Sequence, residues 1–327
     1  MENRIINTVE YSIIIPAYNE EDNIRPLVDR IKNTMVHVNG SYEIVIVDNG
    51  SYDSSPMILE NLLRQEKSIV VVTLSRNFGY DGAITTGLKY ASGNWVIIMD
   101  GDQQDPPESI PEFIHKAKEG FSIVYGIRSK RTEGILIGWQ IKIFYKLWNK
   151  IANIDTPRDA GNFGIMSQEV VKIINHMPER NKFIRGLRAW TGYPSIGIKY
   201  QRDDRKSGET KFSYLKYIDH ALNGITSFST VPLRILTYVG SLGLIICTFF
   251  SIFLIITKIS EIIGINILPY NIASGTTSLA LLILVAISVN LFGLGILGEY
   301  ISRIMEEVKN RPSALVKKIK YSSAIQE

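Results

Sequence analysis

Residues 95–107 read Trp95-Val-Ile-Ile-Met99-Asp100-Gly-Asp102-Gln-Gln104-Asp-Pro-Pro107. A short apolar run, rich in β-branched residues, enters an acidic turn closed by two prolines. The run is too short for a helix and predicts a buried strand, Trp95–Met99. The turn carries two carboxylates one residue apart. Such a pair can share one hard divalent cation, and Mg²⁺ is bound by one or two carboxylates together with substrate phosphates.

The chain upstream repeats the same plan. Tyr11–Ile15, Glu43–Val47 and Ile69–Leu74 read as strands, and Asn23–Val38, Ser54–Gln65 and Gly79–Tyr90 as helices. Continuous apolar strands alternating with helices predict an α/β domain with a mostly parallel sheet covered on both faces. Ligands of such sheets sit beyond the carboxyl ends of the strands. Pro16-Ala17-Tyr18-Asn19-Glu20-Glu21 follows the first strand, Asp48-Asn49-Gly50-Ser51-Tyr52-Asp53 the second, Ser75-Arg76-Asn77-Phe78-Gly79 the third, and the acidic turn the fourth. A cleft rimmed by acids suits a metal-bound phosphate better than a bare anion. No GxGxxG follows the first strand and no GxxxxGK[ST] occurs, which argues against Rossmann dehydrogenases and P-loop NTPases.

The C-terminal third is different in composition. Ile235–Thr257 is 23 residues without a charge, and Thr276–Gly298 is a second apolar run. At a rise of 1.5 Å per residue, 23 residues reach ~34 Å, enough for a hydrocarbon core of ~30 Å, so two membrane spans are expected. Lys199, Arg202, Arg205, Lys206, Lys211, Lys216 and Arg234 precede the first run, and Arg303, Lys309, Arg311, Lys317, Lys318 and Lys320 follow the second. The positive-inside rule then puts both termini and the catalytic domain on the cytoplasmic side of the cell (inner or plasma) membrane. The net charge of +4 is a topology signal on this reading, and nothing suggests nucleic acid. Ile13–Ile15 is too short for a signal-peptide core. The single cysteine, Cys247, excludes an intrachain disulfide, and His37, His115, His176 and His220 lack metal-ligand spacing. From Phe212 to Phe228, Leu215, Ile218, Leu222 and Ile225 recur at helical spacing, which predicts an amphipathic helix lying in the interface with membrane lipids. The expected organisation is a catalytic domain at 1–210, the amphipathic helix at 211–230, two spans within 231–298 (about 235–257 and 276–298) and a basic tail at 299–327.

The four strand-end motifs, Pro-Ala-Tyr-Asn-Glu-Glu, Asp48-Asn-Gly-Ser-x-Asp53, Leu74-Ser-Arg-Asn-Phe-Gly79 and Asp100-x-Asp102-x-Gln104-Asp-Pro-Pro107, resemble those of family 2 glycosyltransferases with the GT-A fold. With Gly298-Glu299-Tyr300-Ile301 before a basic tail, the chain is similar to the polyprenyl-phosphate glycosyltransferases. That resemblance implies a Rossmann-like nucleotide-sugar-binding domain. It also implies that Pro16, Ala17, Tyr18, Glu20, Asp48, Ser75 and Gln104 line the nucleotide-sugar pocket. Asp100 and Asp102 match the family's metal-binding pair, with Mg²⁺ or Mn²⁺ as the expected cofactor. Arg128, after the strand Ser122–Tyr125, matches an arginine implied in acceptor-phosphate binding. Arg205-Lys206-Ser207-Gly208-Glu209-Thr210-Lys211 resembles a loop in which Arg205 and Lys211 would contact phosphate. A homo-oligomer such as a tetramer is also implied.

Two positions depart from the family's pattern. The turn after the second strand is usually Asp-Asp or Asn-Asp before Gly-Ser, and here it is Asp48-Asn49. The family's Gly-Asp-Phe segment, whose aspartate is a proposed general base, is Gly161-Asn162-Phe163. Asn162 takes no proton, and Asp159 is the nearest carboxylate in sequence. The expected activity is inverting transfer of a hexose, most simply from UDP-glucose, to a polyprenyl phosphate such as undecaprenyl phosphate. GDP-mannose or a UDP-amino sugar are alternative donors, and a non-catalytic nucleotide-sugar-binding scaffold is the alternative from another class. A processive synthase is disfavoured, because Arg188-Ala189-Trp190 does not fit the Gln-x-x-Arg-Trp motif.

Overall fold

The computed structural model describes residues 9–129, 160–180, 182–202, 231–264 and 275–322. The chain divides into two compact units, one of Met1–Ala221 with Asn310–Glu327 and one of Leu222–Lys309.

The first unit is built on one eight-stranded sheet. In chain order its elements are β1 (Tyr11–Ala17), α1 (Ile24–Met35), β2 (Tyr42–Asp48), α2 (Ser55–Gln65), β3 (Ile69–Leu74), α3 (Gly79–Tyr90), β4 (Trp95–Ile98), α4 (Ile110–Lys118), β5 (Ile123–Arg128), β6 (Ala160–Ser167), α5 (Gln168–His176), α6 (Ile184–Trp190) and β7 (Ser195–Tyr200). β8 (Val316–Tyr321) closes the sheet from the far end of the chain. The order across the sheet is β7-β5-β6-β4-β1-β2-β3-β8.

The expected strands and helices of the first hundred residues are all present, with their ends moved by a few residues. The apolar strand runs are buried on both faces, as Ile13, Ile14, Ile44, Val45, Ile46 and Val47 are. Complete burial of one such side chain stabilises by roughly 1.5–3 kcal/mol. α1 buries Ile24, Leu27, Val28, Ile31 and Met35, the three- and four-residue spacing of an amphipathic helix. α3 lies so close to β1 that a Cβ on Gly87 would stand 2.3 Å from Ile14 Cγ2.

The registers decide which loops meet. β1 pairs in parallel with β2 and β4, and β2 with β3, so these four strands end at one edge. β6 runs antiparallel to β4 with Gly164 opposite Ile98. Two residues on from Ile98 and two residues back from Gly164, Asp100 and Asn162 therefore fall beside each other. β5 is antiparallel to β6 with Ile127 opposite Ala160, and parallel to β7 with Arg128 opposite Tyr200. The same edge thus collects Asp100, Arg128, Asn162 and Tyr200 from four strands separated in sequence.

β8 was not anticipated from the sequence, where residues 299–327 read as a basic tail. It pairs antiparallel with β3, Lys320 forms an ion pair with Glu60, and Ser322 Oγ donates to Lys67 O at 2.6 Å. It covers the backbone edge that β3 would otherwise expose.

Among the described residues, the second unit holds two helices, α7 (Val231–Ile262) and α8 (Gly275–Val308). A Cβ on Gly293 would stand 2.7 Å from Leu236 Cδ2, so this glycine permits close approach of the pair. Among the described residues no helix is long and apolar enough to cross a membrane. This corrects the expectation of two integral spans at 235–257 and 276–298, and with it the placement in the cell membrane with cytoplasmic termini. A charge-free run describes composition, and it does not set the limits of a helix. α7 continues through Lys258 and Glu261, and α8 through Glu299, Arg303, Glu306 and Glu307. The expected amphipathic helix at 211–230 lies outside the described residues.

Candidate active site

The acidic turn after β4 is shaped by its glycine. A Cβ on Gly101 would stand 2.8 Å from the carbonyl oxygen of Pro16, so only glycine lets this turn press against the chain leaving β1. Asp102 Oδ1 accepts from the Gln104 backbone N–H at 3.2 Å, which ties the turn to itself. Gln103 adopts a left-handed backbone at φ 61°. Its side chain is buried and donates to Asn23 Oδ1 at 2.9 Å, anchoring the turn to the start of α1.

Behind the pair lies a carboxylate that sequence reasoning passed over. Asp105 is 1% exposed. Its Oδ1 accepts from the Tyr200 hydroxyl at 2.7 Å, and its Oδ2 from the Asp100 backbone N–H at 3.4 Å. Burial, reinforced by the charge of Asp100, pushes the Asp105 carboxyl up to about 7, against the pull of Tyr200, Arg202 and Arg128. Its place in the Gln-Asp-Pro-Pro sequence was the signal available.

Cationic groups face these acids. Arg202 Nη2 lies 3.6 Å from Asp100 Oδ2 and 3.8 Å from Asp102 Oδ2, while its Nε is 3.9 Å from Asp105 Oδ1. Arg128 hydrogen-bonds Tyr200, and despite the cost of burial its guanidinium is held above its ordinary value by Tyr200, Asp105 and Asp100. Arg128 Nε is buried with no hydrogen-bond partner. Arg202 was counted from sequence only as part of a basic flank, and the structure brings it onto the acidic turn.

A second group surrounds Asn162. Tyr80, in the first turn of α3, donates its hydroxyl to Asp100 Oδ1 and hydrogen-bonds Asn162. Burial, then the charge and hydrogen bond of Asp100, raise the Tyr80 phenol well above its ordinary value, so it stays neutral. Asn162 Oδ1 accepts from Arg185 Nε at 3.2 Å. Arg188 is 4% exposed and donates to the carbonyls of Asn162 (3.3 Å) and Gly161 (2.9 Å). Burial lowers the Arg188 guanidinium to about 10, which leaves it cationic at neutral pH. Tyr80, Arg185 and Arg188 were missed in the sequence: Tyr80 follows the loop after β3 without a motif to mark it, and Arg185 and Arg188 lie on a helix with no local link to a strand end.

On the opposite side of the turn stand the residues expected for the nucleotide. Pro16 and Ala17 end β1 opposite Val47 and Asp48. Tyr18 packs edge-on against Tyr52 with ring centroids 6.0 Å apart. Glu20 Oε2 accepts from Asn23 Nδ2 at 2.6 Å. Asp48 is buried, and its Oδ1 accepts from the Ser51 N–H at 3.0 Å, closing the turn after β2. The unusual Asn49 binds the neighbouring loop: its Nδ2 donates to Gly79 O at 3.0 Å and to Asn77 Oδ1 at 3.2 Å, and its Oδ1 accepts from the Phe78 N–H at 2.9 Å. An aspartate there could accept and could not donate, so asparagine suits this bridge. Ser75 is exposed at the end of β3, with its N–H bonded to Leu315 O at 2.9 Å. Asp159, Arg205 and Lys211 lie outside the described residues.

The chemistry of this edge suits a divalent cation. Asp100 and Asp102 offer hard oxygen donors, and a guanidinium already reaches toward both. No group of three or more His, Cys, Asp or Glu able to hold a metal occurs among the described residues. The protein would then supply two carboxylates and a phosphate-bearing substrate much of the remaining coordination.

Known proteins resemble this chain over nearly its whole length. The family model described as Glycosyl transferase family 2 matches residues 12–174. An uncharacterised glycosyltransferase of Synechocystis sp. (strain PCC 6803) is 40% identical over 94% of this chain and 95% of its own. A prophage bactoprenol glucosyl transferase homolog of Escherichia coli K12 is 37% identical over 95% of this chain and 100% of its own. The SfII prophage-derived bactoprenol glucosyl transferase of Shigella flexneri is 38% identical over 95% and 98%. With two halves of a parallel-dominated α/β sheet converging on an Asp-x-Asp turn, and with relatives matched along nearly their whole length, the chain belongs to glycosyl transferase family 2 and has its GT-A fold.

Proposed function

We propose that this glycosyltransferase moves a glucosyl group from UDP-glucose to a polyprenyl phosphate, with inversion at the anomeric carbon. The observation that carries the reading is one strand edge where Asp100 and Asp102 face Arg202 and Arg128. A nucleoside diphosphate and a phosphate acceptor both need cationic surroundings, and relatives bearing the name bactoprenol glucosyl transferase support that pair of substrates.

Asp100 and Asp102 would hold Mg²⁺ or Mn²⁺. When bound, the cation neutralises charge that develops on the departing nucleoside diphosphate. Pro16, Ala17, Tyr18, Glu20, Asp48, Ser75 and Gln104 form the donor side. Arg128, with an Nε that lacks a protein partner, orients the acceptor phosphate. A phosphate monoester has a second pKa of about 6, so the attacking oxygen is already anionic at neutral pH. Positioning then matters more than deprotonation, which accounts for a site where Asn162 replaces a base. Asp159, Arg205 and Lys211 belong to the same reading, the first as an auxiliary carboxylate and the others as contacts to the lipid phosphate.

The test incubates purified protein with Mg²⁺ or Mn²⁺, undecaprenyl phosphate and, separately, UDP-glucose, GDP-mannose and a UDP-amino sugar, with mass analysis of the lipid. Glucosyl-lipid from UDP-glucose is the expected product. Preferential transfer from another donor overturns the sugar assignment, and donor binding without any transfer overturns the enzymatic reading.

A further inference from the structure

Asn162 is an amide at the strand edge beside Asp100, and its surroundings define its task. Arg185 can only donate, so it fixes Oδ1 of the amide toward itself and turns Nδ2 toward Tyr80. Tyr80 has one proton, and it goes to Asp100 Oδ1. The four groups form a chain with a single direction of donation: Arg185 to Asn162, Asn162 to Tyr80, Tyr80 to Asp100. Its ends carry opposite charge, so each bond reinforces the next.

An aspartate at 162 would break that direction. It has no donor for the phenolic oxygen, and it would compete with Asp100 for the single phenolic proton. We infer that Tyr80 and Asn162 are matched positioning residues that hold the Asp100 carboxylate in the orientation used for cation binding. The inference rests on the proposed reading of Asp100 and Asp102 as the cation pair. Outer hydrogen bonds to ligating carboxylates commonly contribute about 10- to 100-fold to metal affinity. On this reading Asn162 serves Asp100 through Tyr80 and takes no part in proton transfer.

The experiment measures Mn²⁺ binding by electron paramagnetic resonance in the presence of UDP, with the full chain. Four proteins are compared: wild type, Tyr80→Phe, Asn162→Asp and the double variant. Tyr193→Phe, which loses only an exposed hydroxyl bonded to Glu169, is the control. Tyr80→Phe and Asn162→Asp are each expected to weaken Mn²⁺ by about tenfold. The double variant should be little weaker than Tyr80→Phe, because without the phenol Asn162→Asp has no proton to divert. Circular dichroism melting separates loss of fold from loss of affinity. In the transfer assay, the same single variants should raise the KM for Mn²⁺ more than they lower kcat. Unchanged or tighter Mn²⁺ binding in Asn162→Asp overturns the pairing and leaves the cation reading intact, as do fully additive losses in the double variant. Absence of Mn²⁺ binding in wild type overturns the cation reading and the pairing together.

Discussion

Asp105 provides the sharpest link between the fold and a measurable quantity. It is 1% exposed, bonded to the Tyr200 hydroxyl at 2.7 Å, and pushed up to about 7 from a starting value of 3.8 by burial and by the charge of Asp100. The folded protein therefore holds this proton more tightly than the unfolded chain does. Its contribution to stability is complete below pH 4 and disappears as pH rises through 7. At about 1.4 kcal/mol for each tenfold change in proton concentration, the interval from 3.8 to about 7 corresponds to about 4 kcal/mol, of which about 3 kcal/mol falls between pH 5 and 8. Asp105→Asn preserves size and an acceptor for Tyr200 and removes the titration. Urea unfolding in EDTA, followed by circular dichroism at pH 5 and pH 8, should show wild type losing about 3 kcal/mol more than Asp105→Asn. The difference between the two proteins cancels titrations that they share. Mn²⁺ with UDP should flatten the wild-type dependence, because a cation beside Asp100 offsets the charge that helps raise Asp105. Parallel pH profiles for wild type and Asp105→Asn would refute this account of a buried carboxyl with raised proton affinity behind the acidic turn.

Three further outcomes can be checked directly. Gly101→Ala places a Cβ 2.8 Å from the Pro16 carbonyl; it should destabilise by about 1–3 kcal/mol in thermal unfolding and displace the Asp-x-Asp turn enough to depress transfer. Asp102→Asn should lower kcat for glucosyl transfer by about 100-fold or more, with the melting temperature near that of wild type. Truncation after Asn310 removes β8 and exposes the β3 edge, so the shortened protein should self-associate in sedimentation velocity runs where the full chain does not gain mass.

The motifs at the strand ends were legible because each is short and local. A run such as Ile13–Ile15 or Ile97–Met99 announces a buried strand, and the polar residues after it must then lie at one edge of a parallel sheet. Asp100, Asp102, Asp48 and Tyr18 were placed at that edge in this way, and the structure has them at the ends of β4, β2 and β1. The second half of the site was hidden because it depends on strand register. Asn162 reaches Asp100 only because Gly164 is opposite Ile98, and Arg202 reaches the acids only because Tyr200 is opposite Arg128. Tyr80 sits one residue after a recognised loop, yet its partner is twenty residues away across the sheet. The charge-free runs near the C-terminus carried an incorrect expectation: both lie inside α7 and α8, yet among the described residues no helix is long and apolar enough to cross a membrane.

Residue order alone therefore determined an α/β domain, the parallel run of its first four strands, and an acid-rich edge suited to a metal-bound phosphate. Tertiary structure decided what the acids face: Arg202 and Arg128 beside them, Asp105 buried behind them with its carboxyl pushed up to about 7, and Asn162 joined through Tyr80 to Asp100. It also decided that residues 316–321 complete the sheet, an edge-to-edge pairing across more than two hundred residues of chain. Local pattern specifies periodicity and turn chemistry, which depend on neighbours in sequence. Charge pairing, proton affinity and register depend on distances across the sheet, and those exist only once the strands have aligned.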